Sequence, residues 1–72
     1  MQTYYFDMRD GIPARDRVGK DFPTASLAIE HSKAMAQRLS EERPRRDCDL
    51  AIIVLNEDGS EIHRERVFPI AD

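Results

Sequence analysis

The stretch "CDLAIIVLN", residues 48–56, decides the fold of this 72-residue chain. It is β-branched and nearly continuous in apolar side chains, which reads as a strand. Successive side chains of a strand point to opposite faces, so Leu50, Ile52 and Val54 take one face and Ala51, Ile53 and Leu55 the other. A sheet covered by one helix buries one face and carries polar residues on the other. This strand is apolar on both, so either it is central and flanking side chains cover its outer residues, or its second face is an apolar surface for self-association or a partner.

Downstream, "NEDG" at 56–59 has hairpin-turn chemistry, and residues 60–68 return as the last strand with Ile62, Val67 and Phe68 as its apolar weight. The interior "HRER", residues 63–66, does not alternate cleanly, which predicts a bulge or an exposed edge. Upstream, residues 3–9 alternate: Tyr4, Phe6 and Met8 on one face, Tyr5, Asp7 and Arg9 on the other. Asp10-Gly11 marks a turn. Pro13 is expected to keep the connection out of regular pairing, residues 12–17 read as a polar loop, and a short strand is predicted over Val18–Phe22 despite Gly19.

Thr24 is a helix N-cap, and the period becomes helical through about Glu42. Ala25, Ala28, Ile29, Ser32, Met35, Ala36 and Leu39 form one stripe rich in small residues, with Leu27 off it and Pro44 ending the helix. The expected architecture is α+β: a ββαββ order, a small, mainly antiparallel four-stranded sheet and one helix packed on one face.

Residues 1–72 make a single domain, whose core rarely supplies more than about 3–5 kcal/mol. With one cysteine, Cys48, no intrachain disulfide is available, so self-association as a homodimer is the expected support. Charged residues are 35% of the chain with a net charge of −3 and both signs mixed, which disfavours a dedicated nucleic-acid binder. No apolar run approaches a membrane span, and the N-terminus has no signal pattern; with a lone thiol this predicts a cytoplasmic protein.

No catalytic, cofactor or metal site is predicted. Asp7, Asp10 and Asp16 lack a defined convergence, and "NEDGSE" at 56–61 lacks the acidic ladder of a calcium loop. His31 and His63 do not pair with Cys48 at a catalytic or zinc spacing. There is no glycine-rich phosphate loop. Two surfaces remain. Tyr5, Ile53 and Leu55 form a candidate interaction face on the side away from the helix. Arg45 and Arg46, from "RPRR" at 43–46, with Arg64 and Arg66 form a candidate basic patch diluted by acidic neighbours. The expected function is a non-catalytic protein-interaction or regulatory module acting through that face or the edge of the last strand; the alternative is a weak nucleic-acid-associated regulator.

"YYFDMRDG" at 4–11, "VGKDFP" at 18–23, the alanine-rich helix and "VLNEDG" at 54–59 carry a resemblance. The chain resembles a family of short bacterial proteins of unknown function, common in rhizobia and related alphaproteobacteria. Their pattern is Y-F-F-D-x-x-D-G, then D-x-x-G before the helix, then a D-E-D-G-type hairpin. Asp16, Gly19, Phe22, Asp58 and Gly59 fit it, Asn56 stands where the family often has Asp, and the tail after Gly59 is longer. The resemblance implies the fold and a bacterial source, and no activity.

Overall fold

The structure, a computed structural model, describes residues 1–9, 13–42 and 49–68. Its elements are β1 (Gln2–Arg9), β2 (Pro13–Ala14), β3 (Lys20–Phe22), α1 (Ala25–Glu42), β4 (Ala51–Leu55) and β5 (Glu61–Arg66). All pairings are antiparallel. β2 and β3 are two pieces of one strand position beside β1, and β1, β4 and β5 follow in that order. This is the α+β, ββαββ fold, with β1 and β4 at its centre.

The second strand differs from the expectation of a run over Val18–Phe22. Pairing stops after Ala14 and resumes at Lys20, and Val18 is 87% exposed. The cause is Asp16: its Oδ1 accepts hydrogen bonds from the N–H groups of Val18 and Gly19, folding the chain into a local turn. Pro13, expected outside regular pairing, instead opens the two-residue β2 opposite Arg9. An edge position tolerates it, because among the described residues no further strand pairs with β2.

The helix starts as expected, with the Leu27 N–H donating to Thr24 Oγ1 at 3.3 Å. Ala28, Ser32 and Ala36 are its buried residues, half-buried Met35 and Leu39 flank them, and Leu27 is 48% exposed off the stripe. Ala25, expected on the stripe, is exposed. Small side chains at that seam let the helix lie close over Leu50, Ile52 and Val54, each 0% exposed. Tyr4, Phe6, Val67 and Phe68 complete the core. The Val67 N–H donates to the Leu50 carbonyl, tying the end of β5 to the start of β4.

The hairpin after β4 is the expected one. The Gly59 N–H donates to the Asn56 carbonyl, Asn56 Oδ1 accepts from Asp58 and Ser60, and Gly59 sits at φ 82°. The expected irregularity in the last strand is present: Val54 pairs with His63 but Leu55 pairs with Glu61, leaving Ile62 as a bulge on the edge strand. The Asp10-Gly11 turn, the Pro44 stop and Cys48 lie outside the described residues.

Candidate interaction face

Cross-strand partners share a face, so the register alone assembles the side of the sheet away from α1. Arg9, Ala51 and Arg66 form one row, Asp7, Ile53 and Arg64 the next, and Tyr5, Leu55 and Glu61 the third. The face therefore runs from a cationic end at Arg9 and Arg66 to an anionic end at Glu61, with the apolar line of Ala51, Ile53 and Leu55 along its middle strand. The bulge at Ile62 makes this possible. Residues three apart in a regular strand point to opposite faces. The extra residue returns Glu61 to the face of Arg64, and Arg64 Nη2 bonds Glu61 Oε1 at 3.2 Å.

Tyr5, Ile53 and Leu55 are thus brought together as neighbours, but not as an exposed apolar patch. Ile53 is 2% exposed and Ala51 7%, while Tyr5 and Leu55 are half-buried. Among the described residues, no helix lies on this side. Asp7 and Arg64 flank Ile53 on the neighbouring strands, and long charged side chains can shield apolar surface with their stems while keeping their charge in water. An open groove of about 640 Å³ remains, with Tyr5, Ile53 and Leu55 in its floor and Arg9, Arg15 and Glu57 at its rim.

Asp7 and Asp16, acidic candidates without a defined convergence in the sequence, hold the backbone together. Asp7 Oδ1 accepts the Asp16 N–H at 2.8 Å, and Asp16 Oδ2 accepts the Phe6 N–H at 3.1 Å. The Asp16 carboxylate thereby fills the gap in the ladder between β2 and β3. Burial raises its pKa, but the amides of Gly19, Phe6 and Val18 outweigh that and hold it below the ordinary value of 3.8. Gly19, at φ 73°, has room for no side chain: a Cβ there falls 2.7 Å from Thr3 Cγ2 and 2.9 Å from the Tyr5 ring. These contacts explain the sequence pattern D-x-x-G at 16–19 as a backbone device.

Of the basic patch, Arg64 and Arg66 lie on the helix-free face; Arg45 and Arg46 are outside the described residues. Arg9 joins Arg64 and Arg66, a residue the basic-patch reasoning missed although strand alternation had placed it on the face of Tyr5. His63 Nε2 lies 2.8 Å from Glu65 Oε1 on the helix side of β5, and His31 packs edge-on to Phe6 with centroids 5.0 Å apart.

The fold and face define a small sheet-and-helix domain. A model of the family "Domain of unknown function (DUF6894)" matches residues 3–68 of the 72. The chain belongs to this family. No match was found among curated proteins or among solved structures.

Proposed function

We propose that this protein is a non-catalytic interaction module that works through the helix-free face of its sheet, first of all with a second copy of itself. The observation that supports this is the layout of charge along that face. Arg9 and Arg66 mark one end and Glu61 the other, where Tyr5 and Leu55, in the same row as Glu61, remain partly open. A two-fold axis in the plane between two such faces, perpendicular to the strands, sets each cationic end over the partner's anionic end. The same patch then serves both subunits, as a two-fold interface requires. The edge of β5 is a poorer route, because the bulge and the charges of Glu61, Arg64, Glu65 and Arg66 oppose strand addition.

Sedimentation equilibrium at low salt tests this. The wild type is expected to dimerise, more weakly as salt rises. Leu55→Lys and Arg66→Glu are each expected to yield folded monomers, and adding Glu61→Lys to Arg66→Glu to restore part of the dimer. A wild type that stays monomeric at the highest attainable concentration sinks the proposal. The clustering of Arg9, Arg64 and Arg66 supports a second reading, weak phosphate contact with nucleic acid. Fluorescence polarisation with generic RNA and DNA at low salt decides it: no binding removes that reading.

A further inference from the structure

A second hollow, of about 450 Å³, lies on the other side of β1, between α1 and the loop that leads into β3. Its apolar wall is Phe6, Met8 and Met35, and its basic wall is Arg15, Lys20 and His31. The residue types follow from the topology. Alternation puts Phe6 and Met8 on the helix side of β1, and the i, i+4 spacing puts His31 and Met35 on one flank of α1. His31 stacks edge-on to Phe6 and lies 5.3 Å from the Phe22 ring, and Lys20 Nζ stands 5.8 Å from that same ring. An aromatic cluster therefore continues the apolar wall beneath the ammonium group.

Among the described residues, no carboxylate lies within ion-pair distance of Arg15, Lys20 or Arg38. One carboxylate, that of Asp16, borders the hollow, but its oxygens already accept the amides of Phe6, Val18 and Gly19. The imidazole of His31 registers the local field. Its pKa is held below 6.5, first by burial and then by the charges of Lys20 and Arg38. Arg15 and Lys20 thus border an apolar hollow with no side-chain anion free to answer them among the described residues.

We infer that this hollow is a binding site for a small amphipathic carboxylate, its carboxylate between Arg15 and Lys20 and its apolar body against Phe6, Met8 and Met35. The two walls are complementary to the two halves of such a ligand, and neither inorganic phosphate nor a neutral hydrocarbon satisfies both. The hollow shares Arg15 and Asp16 with the rim of the groove on the helix-free face, but its apolar wall of Phe6, Met8 and Met35 lies on the other side of β1, so octanoate shifts at Met8 and Met35 report on it independently of self-association.

The test titrates sodium octanoate, and separately inorganic phosphate, into the protein while NMR follows the methyl groups of Met8 and Met35 and the His31 ring. Octanoate is expected to shift all three saturably and to raise the His31 pKa, because a bound anion offsets the neighbouring cations. The double variant Arg15→Glu/Lys20→Glu, whose side chains are exposed and whose fold is checked by its spectrum, is expected to weaken binding by roughly tenfold or more. Absence of saturable methyl shifts overturns the assignment. So does equal octanoate affinity in the double variant. Phosphate alone reproducing the whole response overturns the ligand class.

Discussion

The Asp16 carboxylate accepts the backbone N–H of Phe6 at 3.1 Å, ten residues earlier in the chain and on the neighbouring strand. A side chain thus takes the place of a backbone ladder bond where β2 and β3 part. The same carboxylate holds Val18 and Gly19, so one residue shapes the loop and secures the strand. Asp16→Ala is expected to cost about 2 kcal/mol, because three amides lose a charged acceptor. Urea unfolding measures it, and a loss under 0.5 kcal/mol, roughly the scale of a neutral surface change, contradicts this role.

The same bonds carry a pH dependence. The folded pKa of Asp16 is lowered: burial acts to raise it, and the three amides overcome burial. The unfolded chain therefore binds the proton more readily. This stabilisation is fully present above 3.8 and is lost as pH falls through the lower folded value. Urea midpoints followed downward from pH 5 should fall more steeply for the wild type than for Asp16→Asn.

His31 acts in the same direction at higher pH. Its folded pKa is lowered by burial, then by Lys20 and Arg38, so the unfolded chain takes up a proton first. Stability is expected to decline as pH drops from about 6.5 to the folded value and to level off, for this group, below it. His31→Gln should remove that part of the slope, and an unchanged slope refutes it.

Two glycines with positive φ separate strain from collision. Gly59 is at φ 82° with nothing within 4 Å of an added Cβ, so Gly59→Ala is expected to cost about 1 kcal/mol. Gly19 is at φ 73° with Thr3, Tyr5 and the Tyr4 carbonyl within 3.0 Å, so Gly19→Ala is expected to cost about 3 kcal/mol. Equal losses in thermal or urea unfolding would show that the close packing over β1 is absent.

Ile53 and Leu55 occupy the same face but predict different outcomes. Ile53 is 2% exposed, so Ile53→Lys buries an unpaired charge and is expected to unfold a domain worth only about 3–5 kcal/mol. Leu55 is half-buried at the groove, so Leu55→Lys is expected to keep the fold. Circular dichroism of the two variants distinguishes them.

Much of the fold was legible in the sequence because it rests on local periodicity. The two-sided apolar run of β4, the alternation of β1, the Thr24 cap and the "NEDG" turn each encode their own geometry within a few residues. The register that follows places Tyr5 beside Leu55 and Asp7 beside Ile53. The candidate site was legible only in outline. Its members could be assigned to a face by counting, but exposure depends on neighbours that counting does not supply.

The sequence by itself determined the ββαββ order, the helix seam of Ala28, Ser32 and Ala36, and which residues of β1 and β4 share each side of the sheet. Only the tertiary structure decided that Ile53 is covered, that Asp16 splits the second strand, and that the Ile62 bulge brings Glu61 and Arg64 onto one side. The physical reason is range. Periodicity is a property of adjacent residues, whereas burial, a carboxylate bonded to a distant amide and a change of register arise only when separate segments meet.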